Sequence, residues 1–216
     1  MIHLLLRATL ETFYMVLVST FFTVLFGLPL GIVLVVTSKG HIHAHKGLNA
    51  ILSYVVNMAR SLPFIILMIF IIPFTRMVVG TSIGTTAAIV PLVVAAIPFF
   101  ARIVESALHE VDGGVVEAAI AMGASPIEII TRVLIPEALP SLILGTTITI
   151  INLLGYSAMA GAVGGGGIGD LAIRYGYHRF NTEIMFATII LLVVLVQGLQ
   201  TTGNLIANRV QKHRRR

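Results

Sequence analysis

The chain has 216 residues, of which 57% are hydrophobic and only 11% charged, and its mean hydropathy is +1.00. An ordinary water-soluble domain of this size has too little interior to hide that much apolar surface, so a lipid bilayer is the expected solvent. The absence of cysteine excludes disulfides, thiolate catalysis and cysteine-based metal sites. The net charge of +5 points to the flanks of membrane helices and away from nucleic acid, because it gathers in Lys212-His213-Arg214-Arg215-Arg216 and in short loops.

Five apolar stretches follow in chain order, at 13–36, 50–74, 83–101, 141–163 and 184–207. Each is long enough to cross about 30 Å of hydrocarbon. Residues 1–10 carry Arg7 and lead into an apolar run too long for a cleaved leader, so the first stretch is expected to remain as an anchor. An odd number of spans puts the termini on opposite sides. With the C-terminus in the cytoplasm, the inner segments hold Lys39, Lys46, Arg102, Arg132, Arg209, Lys212, Arg214, Arg215 and Arg216. The outer ones then hold only Arg7, Arg76, Arg174 and Arg179. That bias satisfies the positive-inside rule and places the N-terminus outside.

Within the spans, Pro29, Pro63, Pro91 and Pro98 fit either kinked helices around an opening pathway or the ordinary tolerance of membrane helices for proline. Gly27-x-x-x-Gly31 and Gly80-x-x-x-Gly84 match the small-residue pattern for close helix contact, although Pro29 interrupts the first. Arg60 is the one charge inside an expected span. Two readings stand for it: an ion pair with Glu105 that helps hold one transport state, or a span that starts nearer Ser61 with Arg60 snorkelling to the interface. In the fourth span Asn152 and Tyr156 share a helical face, with Ser157 and Met159 beside them. Such groups line a pathway or pack against a neighbouring helix. A thioether at Met159 suits contact with a sulfur-containing side chain.

The longest hydrophilic gap, 102–137, has punctuation of its own. Asp112 caps a first short helix carrying Val115, Val116, Ala119 and Ile120, and Gly123 ends it. Ser125-Pro126-Ile127-Glu128 is a capping box with proline at the first helical position. A second short helix through Ile129, Ile130, Val133 and Leu134 is expected to stop before Pro136. Ala118, Ala119 and Ala121 give the first helix a thin face with Glu117 beside it. Spacing alone leaves two uses open, insertion into a partner's groove or lying on the lipid surface.

No G-x-x-x-x-G-K-[ST] occurs, so this chain is not expected to hydrolyse ATP. Gly164-x-Gly166-x-x-Gly169 matches a dinucleotide fingerprint but follows a membrane span with no βαβ unit around it, and reads instead as an outer loop or gate. His41, His43 and His45 alternate in the first inner loop. They read as polar filler, with a metal site the lesser alternative, and no metal is assigned. H-E-x-x-H is absent, and Gly155-Tyr156-Ser157-Ala158-Met159 lacks the last glycine of a nucleophile elbow. A secondary transporter or channel working alone is disfavoured because none of the five stretches contains Asp or Glu.

Glu117-Ala118-Ala119-x-x-x-Gly123 followed by Val133-x-Ile135-Pro136 resembles the EAA loop of ABC importer permeases, with Val133 and Ile135 in place of the family's Ile-x-Leu. The runs Arg60-Ser61-Leu62-Pro63-Phe64-Ile65-Ile66 and Gly155-Tyr156-Ser157-Ala158-Met159 extend a resemblance to methionine importer permeases over essentially the whole chain. The resemblance implies an all-α membrane protein with five transmembrane helices and the type I importer permease fold. It implies one permease domain over 1–216, with a cytoplasmic coupling loop at about 110–137 in which Glu117, Ala118, Ala119, Gly123 and Pro136 dock an ATPase. It further implies a second copy of the chain, two ATP-binding subunits that hold ATP and Mg, a methionine-delivering lipoprotein outside, and residence in a bacterial cell membrane. The runner-up cargo is another amino acid or a small hydrophobic solute.

Overall fold

The computed structural model describes residues 2–214, with side chains described through Lys212. Met1 and the tail residues Arg215 and Arg216 counted in the charge bias lie outside the described residues. Those described are helical and contain no strand. Four helices are long and apolar enough to cross a membrane: Ile2–Val36, Thr85–His109, Pro126–Gly161 and Thr182–Lys212. A fifth crossing is available only if Lys46–Arg60 and Phe64–Phe70, bent by 99° at their junction, count as one broken span.

Helix α1 (Ile2–Val36) packs along α5 (Thr85–His109), and this pair is the spine of the bundle. Glycines make the approach close. A Cβ at Gly31 would lie 2.5 Å from Val104 Cβ and 2.7 Å from the Ala101 carbonyl oxygen, and one at Gly27 would lie 3.0 Å from the Phe100 ring. The Gly27/Gly31 pattern is therefore a contact face despite Pro29, which α1 carries without interruption. Of the four long helices α5 is the most buried and α10 (Thr182–Arg214) the least, its apolar surface left for lipid.

The expected second span, 50–74, is not continuous. It is divided into α2 (Lys46–Arg60), α3 (Phe64–Phe70) and α4 (Ile72–Val79). The cause is local. Proline disfavours helical backbone in the residue before it, so Leu62 cannot carry α2 into Pro63, which sits extended at ψ 133° as the cap of α3. Ser61 closes α2 by donating its hydroxyl to the Asn57 carbonyl at 2.8 Å. Gly80, left-handed at φ 81°, ends α4.

The expected stop before Pro136 is also absent. A short α7 (Pro126–Ile129) passes through a π-helical turn, Ile130–Leu134, directly into α8 (Ile135–Gly161). Ile135 donates its N–H to the Ile130 carbonyl, five residues back. This wider turn lets the chain pass a residue with no N–H of its own, where a regular helix would lose a bond. The result is one rod from Pro126 to Gly161, 36 residues long.

Beyond α8 the chain folds back through α9 (Gly167–Leu171) and a second π-helical stretch, Ala172–Tyr177, before α10. Gly164 and Gly166 are left-handed, and Gly84 donates its N–H to the Gly164 carbonyl at 2.9 Å. The dinucleotide-like glycines thus serve a tight turn against the start of α5. Two residues of α1 hold this turn from outside it: Glu11 Oε2 accepts from Gly167 N at 3.0 Å, and Thr12 Oγ1 accepts from Ile168 N at 2.9 Å.

Candidate functional site

The 110–137 segment folds into a short helix, α6 (Gly113–Ala121), joined by a tight corner to the α7–α8 rod. Each punctuation mark has a bond behind it. Asp112 Oδ1 accepts from Gly114 N at 2.7 Å. At the other end Gly123 turns left-handed at φ 83°, with Gly123 N bonded to the Ile120 carbonyl and Ala124 N to the Ala119 carbonyl, a Schellman closure. Ser125 and Glu128 then form the reciprocal capping box. Those bonds from Ser125, with Arg132 3.6 Å away, hold the Glu128 carboxyl below its ordinary range.

The three alanines do not share one face. Ala119 points into the bundle, in a cluster with Val35, Phe100, Leu108, Ile129 and Leu134. Glu117, Ala118 and Ala121 are exposed. Ile120, Met122 and Ile127 are 52%, 81% and 72% exposed, which makes the outward surface an apolar patch beside one carboxylate. α6 is thus clamped through Ala119 and tied covalently to a membrane-length helix, while it presents an exposed apolar face outward.

The proposed Arg60–Glu105 pair is not formed. Glu105 is bound by Arg102, three residues away on α5, and a second nitrogen of Arg102 donates to the Ser53 carbonyl at 3.0 Å. Residues one helical turn apart meet without any movement of a neighbouring helix, so the local partner takes the carboxylate. Arg60, in the last turn of α2, is exposed, and its guanidinium lies 5.9 Å from the centroid of the Phe99 ring.

The fourth-span candidates separate. Ser157 is buried and donates to the Leu154 carbonyl at 2.7 Å, which makes it a packing residue. Tyr156 stacks on Phe64 with centroids 4.6 Å apart and rings 5° from parallel. Asn152 is half-buried and Met159 is exposed. The structure brings Tyr156 and Arg60 to one small cavity, of about 110 Å³, together with Phe64 and Phe99. Sequence reasoning missed both phenylalanines, which carry no polar atom to draw notice in an apolar chain, and it missed the i, i+3 spacing of Arg102 and Glu105.

His41 also has a partner. Its ring meets His109 edge-on at 5.2 Å, where the loop after α1 touches the end of α5 just before α6. Burial, and then the charge of His109, push the His41 imidazole below its ordinary pKa. His45 instead caps α2, with Nδ1 accepting from Leu48 N. Among the described residues no three His, Cys, Asp or Glu side chains are grouped to hold a metal.

A bundle of membrane-length helices with a short helix wedged on one end is the architecture of a transport permease. Residues 27–215 match the model of the family described as "Binding-protein-dependent transport system inner membrane component", and the chain belongs to that family. It is 54% identical over 207 residues to a probable D-methionine transport system permease protein MetI of Vibrio cholerae, covering 96% of this chain and 92% of that one. It is 46% identical over 206 residues to the methionine import system permease protein MetP of Bacillus subtilis, covering 95% and 93%. In three dimensions it superposes on a chain of the inward-facing MetNI methionine ABC transporter with a TM-score of 0.96, at 51% identity and 97% coverage of both chains. An amino acid ABC transporter crystallised with histidines shares the fold at a TM-score of 0.78 and 20% identity.

Proposed function

We propose that this chain is the membrane-spanning permease subunit of an ATP-driven methionine importer. It works as two copies with two separate ATP-binding subunits that hold ATP and Mg, and an extracytoplasmic methionine-binding lipoprotein delivers the cargo. The named cargo of the relatives and of the inward-facing transporter supports methionine. The observation that carries the mechanism is the unbroken passage from the exposed corner at Ser125 through the π turn into α8.

A push on the Ser125 corner moves α8 as a lever, because the chain is helical without a break from Pro126 through the π turn to Gly161. In this reading α6 faces the cytoplasm, the N-terminus lies outside, and the protein resides in a bacterial cell membrane, as the distribution of Lys and Arg supports. ATP binding draws the partner subunits together, the paired α6 helices follow, and the bundle opens outward. Hydrolysis reverses the movement and releases methionine inside. Moving such an equilibrium from 1:99 to 99:1 takes about 5.5 kcal/mol. The exposed apolar surface of α6 and the Gly123 corner is where that bias enters.

The test is accumulation of labelled methionine in proteoliposomes holding this chain, its ATP-binding subunit and its binding protein. Accumulation is expected only with ATP and all components. Uptake by this chain alone, or uptake indifferent to ATP, would overturn the proposal.

A further inference from the structure

Arg60 sits where two cavities meet. On the side nearer α6 is a cleft of about 420 Å³ whose lining includes Arg60, Phe99, Arg102, Ser106, Glu110 and Ser141. On the other side is the cavity of about 110 Å³ against Tyr156 and Phe64. Only Arg60 and Phe99 line both. The two cationic side chains of the larger cleft differ in their state. Arg102 is committed to Glu105 and to the Ser53 carbonyl. Arg60 has no hydrogen bond or ion pair among the described residues, and its guanidinium lies against the Phe99 ring face.

An unpaired guanidinium at a break between membrane helices keeps its donors for something that arrives. An amino acid crosses as a zwitterion, and its carboxylate needs compensation once it leaves bulk water. We infer that Arg60 is a transient docking point for the α-carboxylate of the cargo, at the step between the Tyr156 cavity and the cleft that opens toward α6. The planar fork of arginine matches a carboxylate bidentately. The Phe99 face holds the fork in place between passages without occupying its donors. A permanent acidic partner would block such a role, and Glu105 is kept away by Arg102. The break at Leu62–Pro63 is what leaves Arg60 beside both cavities, because it ends α2 at Arg60 and turns the chain aside.

This inference rests on the importer reading, and the experiment separates the two. The whole complex, with ATP-binding subunit and binding protein, is reconstituted in proteoliposomes, and methionine uptake and ATP hydrolysis are measured for wild type, Arg60→Met, Arg60→Gln and Arg60→Lys. If the wild type fails to accumulate methionine, the importer reading falls before any variant is compared. If it does accumulate methionine, Arg60→Met and Arg60→Gln should lose uptake by about tenfold or more, the size of one charge-assisted hydrogen bond. Both should keep assembly and binding-protein-stimulated hydrolysis within about twofold, and Arg60→Lys, which keeps the charge but not the fork, should recover only part of the uptake. Wild-type uptake in Arg60→Met overturns the inference. So does a parallel fall of uptake and hydrolysis, or failure of both neutral variants to assemble, since either outcome makes Arg60 a structural residue.

Discussion

Gly161, at the end of α8, and Gly169, in α9, cross with no room for a side chain on either. A Cβ on Gly161 would lie 2.6 Å from Gly169 C and 2.9 Å from Gly169 Cα, and one on Gly169 would lie 2.5 Å from Ala158 Cα. These neighbours are backbone atoms and cannot swing aside. Gly161→Ala and Gly169→Ala should each destabilise the protein by about 1–3 kcal/mol. Gly155→Ala, in the same helix with nothing within 4 Å of its Cβ, should be neutral or stabilise by up to about 1 kcal/mol. Thermal unfolding of the purified protein checks the order; equal Tm values for the three variants would contradict it.

Thr12 reaches from α1 to the same fold-back. It is 2% exposed, and its hydroxyl oxygen accepts from Ile168 N. Thr12→Val keeps the shape and leaves that buried donor unmet, a cost of about 1–3 kcal/mol. Amide hydrogen exchange should speed up across residues 164–177 while α5 stays protected. Unchanged exchange there would show that glycine packing and the Glu11 bond hold α9 without Thr12.

Much of this architecture is legible in the residues, and the gaps have physical causes. Hydropathy marks the long helices because lipid admits few other ways to satisfy a backbone. Asp112, Gly123 and the Ser125–Glu128 box act through bonds a few residues long, so their composition alone identifies them. The expected continuous second span lets the helix pass Pro63 and the expected stop before Pro136 ends it there, the reverse of what each proline does. At Pro63 the chain breaks. At Pro136 it instead widens by one residue in the π turn, and no local signal distinguishes the two. The Arg60–Glu105 pairing failed because choosing between partners needs the distance between helices, and the short-range Arg102 took the carboxylate. Gly27 and Gly31 were underrated because Pro29 suggested a spoiled contact; their fit depends on Phe100 and Val104, which lie far along the chain.

The two sides of α6 should fail differently. Ile120 is half exposed on the surface proposed to dock, whereas Ala119 is 4% exposed beneath it. Ile120→Asp should cut co-purification of the ATP-binding subunit by about tenfold or more, since it buries an unpaired charge in the contact. The permease's own Tm should not change. Ala119→Leu should lower that Tm through about 1–3 kcal/mol of overpacking, with docking lost only as a consequence. The check is a pull-down together with unfolding of each variant. Reversal of the two phenotypes would mean that α6 docks through its other face.

Acid should loosen the contact between the loop after α1 and the end of α5. Burial and His109 lower the pKa of His41 in the folded protein, so folding favours its neutral ring. The unfolded chain then binds the extra proton, and stability must rise with pH across this window. The contribution is fully present above the ordinary histidine value of about 6.5 and is lost as pH falls below it toward the lowered folded value. His41→Phe keeps an aromatic edge against His109 and removes the titration. Between about pH 7.5 and about pH 5.5 the wild type should therefore lose more Tm than His41→Phe. Parallel pH profiles for the two proteins would show that the ring contact is not sensitive to protonation, and that the loop is held instead by Asn49, whose amide donates to the Leu34 carbonyl at 2.7 Å.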